Sequence, residues 1–241
     1  MLNNKDWKYP FLTTADFTSK ADITFGNLEA PIVENCPTSP TGMVFCARPE
    51  AIEGLKFAGF DILSLANNHI LNHGQEGLDQ TTNLLNVNTI LPSQGSKIAI
   101  KHLKNLSLGF LAFDLVTYSN TPLLETIMEN AEKVDILMIS LHWGAEYSKI
   151  PTETQKKLAR EIIDAGAKII IGHHPHVTQP VEEYHNGLIF YSLGNFVFDQ
   201  AWSEETKKGE MAKIIFEAKK IKSYELVPVY SENYCQPKLL N

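Results

Sequence analysis

The hydrophobic residues of this chain fall into short runs, and several of these runs end in side chains that can bind metal ions. The most informative stretch is residues 168–199, where an apolar run at 169–171 ends at Gly172 and is followed by three histidines, His173, His174 and His176. A second apolar run at 188–193 leads into Asn195. Neutral imidazole is a common metal ligand, and polar residues just past a buried strand lie where open α/β sheets bind ligands. The pattern predicts a metal-binding turn.

The other apolar runs alternate with segments of helical periodicity. Strands are predicted at residues 21–25, 61–66, 97–100, 106–113, 135–141, 211–218 and 223–229. Helices are predicted at residues 49–58, 74–85, 123–134 and 152–165, the last opening with a capping box. Residues 31–49 contain four prolines and are predicted to be irregular. This alternation indicates an α/β fold, with an antiparallel pair formed by the last two strands.

Four predicted strands end in polar motifs, namely GNLE, ANNH, HWG and GHHPH. If these strands share one sheet system, their carboxyl ends bring together six side chains, which are Glu29, Asn68, His69, His142, His174 and His176. Imidazole, amide and carboxylate donors without a thiolate suit Mn, Fe, Zn or Ni better than a structural zinc site. A pair of ions bridged by a carboxylate could clamp a phosphoryl group.

Composition narrows the function classes. At 241 residues the chain is expected to form a single domain, residues 1–241. A net charge of -7 argues against nucleic acid as a partner. No apolar run reaches the ~18 residues of a membrane span, and the N-terminal sequence MLNNKDWKYPF is unlike a signal peptide. Cys36 and Cys46 flank a turn-rich segment and could pair in an exported protein.

Four ordered blocks carry a resemblance to a known family: GNLEAP, SLANNHILNHGQEGL, SLHWGAEY and IIGHHPHVTQPVEEYHNGLIFYSLGNFVFD. Together they resemble the CapA-like poly-gamma-glutamate capsule-synthesis proteins, a family similar to the calcineurin-like metallophosphoesterases. The resemblance covers residues 20–229. It implies a four-layer α/β/β/α sandwich and one or two divalent transition-metal ions (Mn, Fe or Zn).

The resemblance also implies roles for single residues. Glu29 resembles the bridging carboxylate and Asn68 the amide ligand, and His69 resembles the histidine that protonates the leaving group. The remaining metal ligands by this resemblance are His142, His174 and His176. Candidate substrate-binding residues are Asn27, Asn67, His173, Glu146 and Asn195, with pocket shaping an alternative for Glu146 and loop fixation an alternative for Asn195.

One departure from the family pattern affects both fold and site. Metallophosphoesterases and most CapA-like chains begin with a strand that ends in Gly-Asp, whose aspartate holds a metal ion. In this sequence no aspartate before the first block follows an apolar run and a glycine. We therefore expect a late chain start or an incomplete metal position. In either case the sheet lacks a central strand, and its neighbours present unpaired edges.

Two function classes follow, and a non-functional gene fragment is a third alternative. The first is a metal-dependent phosphoesterase-like hydrolase in capsule or poly-gamma-glutamate biosynthesis, acting on a phosphoester or an anionic polymer. The second is a non-catalytic assembly or export component of a membrane polyglutamate synthase complex. The resemblance implies membrane association outside the cytoplasm.

Overall fold

The computed structural model describes residues 6–37, 42–118, 122–232 and 235–240. Residues 1–5, at the start of the N-terminal sequence that is unlike a signal peptide, lie outside the described residues. Residues 38–41, in the region predicted to be irregular, also lie outside them. After a 3-10 helix at Tyr9–Phe11, the helices of the described residues are α1 (Ala15–Thr18), α2 (Ala51–Phe57), α3 (Gly74–Val87), α4 (Leu123–Ala131) and α5 (Glu153–Asp164). Their strands are β1 (Phe25–Asn27), β2 (Ile62–Ser64), β3 (Leu91–Ser93), β4 (Gly95–Leu103), β5 (Leu106–Asp114), β6 (Ile136–His142), β7 (Ile169–His173), β8 (Val181–Tyr184), β9 (Gly187–Phe190), β10 (Lys208–Glu217), β11 (Lys220–Ser231) and β12 (Pro237–Leu239).

A six-stranded sheet in the order β4-β5-β6-β7-β9-β8 forms the centre of the molecule. Its four inner strands run parallel, and β4 and β8 pair antiparallel at the two edges. The inner strands are buried along most of their length, as the continuous apolar runs predict for strands covered on both faces.

Three hydrophobic cores separate four layers. Along β5 and β6 the side chains alternate, so that Leu111 and Ile139 face α4 and α5, whereas Phe110 and Met138 face a second layer of strands. A third core lies between that second layer and α2 and α3. The order helix, sheet, sheet, helix is the predicted α/β/β/α sandwich.

The second strand layer consists of two separate three-stranded sheets. One is parallel, in the order β1-β2-β3, and the other is antiparallel, in the order β10-β11-β12. Within the described ranges, β1 has no strand partner on its outer edge, and β10 has only the bridge between Gly209 and Gly194 on its outer edge. An apolar cleft of about 1930 Å³ is lined by Phe25 and Ile214, and by Met138 of the central sheet. These open edges agree with the expectation of a sheet that lacks a strand.

Most predicted elements are present, with shifted ends. The strand predicted at 21–25 lies further along the chain, as β1 at Phe25–Asn27. The backbone of Thr24 is hydrogen-bonded to Asp61, and the ladder with β2 begins only at Phe25. The predicted capping box is present, since Thr152 and Gln155 bond each other's backbone N–H groups. Strands β3, β8 and β12 and helix α1 were not predicted, because they are short and lack a periodic apolar pattern.

Candidate metal centre

The carboxyl ends of three central strands present a row of polar side chains. Asp114 ends β5, His142 ends β6 and His173 ends β7, and the strand register pairs Asp114 with His142 and His142 with His173. Side chains in register on parallel strands lie on the same face. By the alternation described above, this face is turned toward the second strand layer.

Glu29 reaches this row from the turn after β1. Its Oε1 lies 3.8 Å from Nε2 of His142 and 3.6 Å from Nε2 of His176, while its Oε2 accepts a hydrogen bond from Asn27 at 3.0 Å. The predicted bridging carboxylate is therefore beside two of the predicted imidazole ligands.

His174 and His176 lie in the turn that follows β7. Both have positive φ, 96° and 59°, a conformation that L-residues adopt at some cost. The ring centroid of His174 is 4.9 Å from that of His142 and 6.0 Å from that of His176. The strained turn thus brings its two rings to the row formed by the strand ends.

Asn195 fixes the orientation of His176. Its Nδ2 donates to the side chain of Gln200 and to the carbonyl of Thr206, so its Oδ1 accepts from Nδ1 of His176 at 2.9 Å. With the proton on Nδ1, the lone pair of Nε2 is directed to Glu29. Two acceptor atoms that face each other in this way need a cation or a proton between them.

The turn after β2 is bonded to the turn after β1. Asn67 donates to the side chain of Asn27 at 3.2 Å and to the carbonyl of Leu28 at 2.9 Å, and its own Oδ1 accepts the backbone N–H of His69. Among the described residues, Asn68 Oδ1 is buried without a hydrogen-bond partner. Asn67 therefore positions Asn68 and His69 relative to Glu29.

His69 is buried, with only 6% of its surface exposed. Asn72 Oδ1 accepts the backbone N–H of Phe45 at 2.7 Å and lies 3.2 Å from Nδ1 of His69, which assigns the proton to Nδ1. The ring of Phe45 covers the imidazole, with centroids 4.1 Å apart. Phe45 precedes Cys46, which forms a disulfide with Cys36, a pairing that the sequence left open.

The electrostatics of the cluster favour neutral histidines. Burial lowers the pKa of His142, His174 and His176, and it lowers that of His173 to about 4. Burial is also the main reason why the pKa of Glu29 is raised to about 8. The hydrogen bond from Asn27 opposes this increase, and the charges of Glu146 and Asp114 add smaller increases. Neutral imidazole is the form that binds metal ions.

Unsatisfied buried atoms test whether a metal ion fits here. Within the described part of the chain, atoms of four predicted ligands are buried without a hydrogen-bond partner, namely Glu29 Oε1, Asn68 Oδ1, both ring nitrogens of His142 and His174 Nδ1. Buried polar atoms normally have partners. A divalent cation would satisfy such a set, and its nitrogen and oxygen donors suit Mn, Fe or Zn.

Glu146, a predicted substrate-binding residue, lies beside two of the predicted metal ligands. One of its carboxylate oxygens and one ring nitrogen each of His174 and His176 lie within 4.8 Å of one another. The side chain is exposed at the mouth of the cluster. It could therefore bind a cation as well as contact a substrate.

Three of the other predicted substrate-binding residues are hydrogen-bonded to protein groups. The side-chain polar atoms of Asn27, Asn67 and Asn195 bond to neighbouring residues, which makes these residues orienting groups for Glu29, His69 and His176. His173 lies beside Phe25 on the inter-sheet face, with ring centroids 6.4 Å apart. Its Nε2 has no hydrogen-bond partner in the ranges that the structure describes.

Sequence reasoning did not identify three residues around the cluster. Asp114 carries the same signal as the predicted ligands, a polar residue at the end of an apolar run, but the predicted strand was ended at residue 113. Asn72 and Phe45 act through contacts with His69 that no local pattern encodes.

A family model and two curated relatives identify the family of this chain. The family model described as bacterial capsule synthesis protein PGA_cap matches residues 1–200. The chain is 32% identical to the PGA biosynthesis protein CapA of Bacillus subtilis over 87% of its length, and 32% identical to the capsule biosynthesis protein CapA of Bacillus anthracis over 84%. It spans 61% and 57% of the lengths of these two relatives.

Similar solved structures support the fold. A hypothetical protein from Thermus thermophilus matches with a TM-score of 0.63 at 13% identity, covering 92% of this chain and 93% of that one. A protein described as a novel phosphatase, from Mycoplasma pneumoniae, matches with a TM-score of 0.59 at 13% identity, covering 87% and 83%. These two structures share the fold of this chain, and the chain belongs to the bacterial capsule synthesis family PGA_cap.

Proposed function

We propose that this protein is a metal-dependent phosphoesterase-like hydrolase of capsule or poly-gamma-glutamate biosynthesis, acting on a phosphoester or an anionic polymer. The observation that carries the proposal is the convergence of Glu29, His142, His174 and His176 from the turn after β1, the end of β6 and the turn after β7, with buried acceptor atoms left unsatisfied among the described residues. The names of the Bacillus relatives support the biosynthetic context.

The proposed ligands of one or two Mn, Fe or Zn ions are Glu29, Asn68, His142, His174 and His176. When bound, such ions would polarise the phosphoryl group and lower the pKa of water. The protein's own contribution is to hold the ligands in place. Asn27 fixes one carboxylate oxygen of Glu29, and Asn195 fixes the tautomer of His176.

His69 is the proposed general acid. Because Asn72 Oδ1 can only accept a hydrogen bond, the Nδ1 proton is held there and Nε2 is left as the atom that exchanges a proton with the leaving oxygen. The ring of Phe45 and the burial of His69 restrict access of water to this imidazole.

Turnover of a chromogenic phosphodiester by protein loaded with Mn tests the proposal. We expect His174→Ala to remove activity with the metal, and His69→Gln to lower kcat by roughly 10²- to 10⁴-fold while metal content is retained. His185→Ala is the matched control, because His185 is exposed and pairs with Asp164 away from the cluster. Absence of turnover at every metal loading would overturn the proposal.

A non-catalytic role in assembly or export, within a membrane polyglutamate synthase complex, is the second candidate. The open edges of β1 and β10 beside an apolar cleft favour it, because such edges accept further strands. This role predicts at most one ion per chain and partner binding that survives chelation of the metal.

We place either function outside the cytoplasm. The Cys36–Cys46 disulfide supports this location, because disulfides persist in oxidising compartments. No helix in the described ranges is both long and apolar enough to cross a membrane.

A further inference from the structure

Asp114 has a buried carboxylate that is only half satisfied. Asp114 is 7% exposed. Oδ1 accepts the backbone N–H groups of Val116 at 2.9 Å and Thr117 at 3.2 Å, whereas Oδ2 is buried and has no hydrogen-bond partner in the described parts of the chain. Leaving a buried carboxylate oxygen without a partner is costly.

The position of Asp114 in the sheet places its side chain on the side of the proposed metal centre. Asp114 is in register with His142 on the adjacent parallel strand, so the two side chains lie on the same face of the sheet. It is also close enough to Glu29 and His174 to act electrostatically on both. The orphaned oxygen thus belongs to the same cluster as the orphaned atoms of the proposed ligands.

We propose that Asp114 is a second carboxylate ligand of the metal centre, binding a divalent transition-metal ion through Oδ2. The proposal rests on the metal site of the proposed function and extends its ligand set. With Asp114 included, the buried donors are two carboxylates, one amide and three imidazoles. Without Asp114, Glu29 would be the only negatively charged ligand of one or two divalent ions. The carboxylate of Asp114 would add a second negative charge.

A purely structural role would use only Oδ1, as the cap of the turn at Val116 and Thr117. Asp114→Asn separates the two roles, because the amide oxygen can still accept both backbone N–H groups while the charge and the second acceptor oxygen are lost. Asp135→Asn is a matched control. Asp135 also accepts a backbone N–H, that of Ser107 at 2.8 Å, but precedes β6 at the opposite end of the sheet.

The test measures Mn binding to the full chain by elemental analysis after gel filtration and by titration calorimetry, with circular dichroism to confirm folding. For Asp114→Asn we expect a folded protein that loses one ion per chain or binds Mn at least about 10-fold more weakly. Asp135→Asn should bind as the wild type does.

Two results would overturn the inference, and they are distinguishable. If Asp114→Asn binds the same number of ions with a Kd within twofold of the wild type, Asp114 is only a turn cap and the proposed metal centre is unaffected. If the wild-type protein itself binds no Mn, the metal centre fails and this inference fails with it.

Discussion

Because the carboxylate of Glu29 is buried, we predict that the free energy of unfolding of the metal-free protein depends on pH. Burial raises the pKa of Glu29 from 4.5 to about 8. The folded protein therefore holds this proton more tightly than the unfolded chain. The stabilisation is fully present below pH 4.5 and is lost as the pH rises through about 8. Replacement by Gln removes the titrating group and keeps a similar shape.

The size of the effect follows from the width of this pH window. Each pH unit between the two pKa values changes the free energy of unfolding by about 1.4 kcal/mol, so the whole window accounts for up to about 5 kcal/mol. In metal-free protein, the free energy of unfolding of Glu29→Gln minus that of the wild type should thus grow by about 1.4 kcal/mol per pH unit.

Urea unfolding in the presence of a chelator, at several pH values across this window, measures that difference. Titrating groups that lie away from Glu29 contribute equally to both proteins and cancel. Glu129→Gln, at an exposed position on α4, provides the baseline and should show no such trend. A difference between Glu29→Gln and the wild type that stays constant with pH would refute the reasoning.

Three further predictions concern the same regions. Mn binding at pH 7 should release about 0.9 proton per chain from Glu29, measured by calorimetry in buffers of different ionisation enthalpy, and zero release would contradict it. Reduction of the Cys36–Cys46 disulfide, whose cysteines are 10 residues apart, should lower the free energy of unfolding by about 2–3 kcal/mol in urea titrations; an unchanged midpoint would argue against it. Gly172→Ala should fail to fold or lose several kcal/mol, because its Cβ would lie 2.0 Å from the carbonyl of Tyr191; native-like melting would count against this packing.

Sequence patterns predicted the elements whose own residues carry a local signal. The apolar runs of β5, β6 and β7 and the capping box of α5 are local signals, and each corresponds to an observed element. Strand β3 was not predicted because it is three residues long and contains Pro92, so only its pairing with β2 makes it a strand.

The cluster was predicted by its position in the sheet, and its internal bonding was not. The rule that polar residues follow apolar strands located Glu29, His142 and His174. The same rule should have included Asp114. It could not indicate that the amides of Asn67 and Asn195 are used by protein partners, because those bonds join segments that are distant in the chain.

The face on which His142 lies depends on the pairing of β6 with both of its neighbours. A slip of one residue would turn His142 to the helix side and bring Leu141 or Trp143 toward the proposed metal centre. Substitutions far from the proposed ligands that disturb this alignment should therefore weaken Mn affinity without altering the proposed metal centre directly. Affinity measured across a library of core variants would accordingly report how faithfully the central strands assemble.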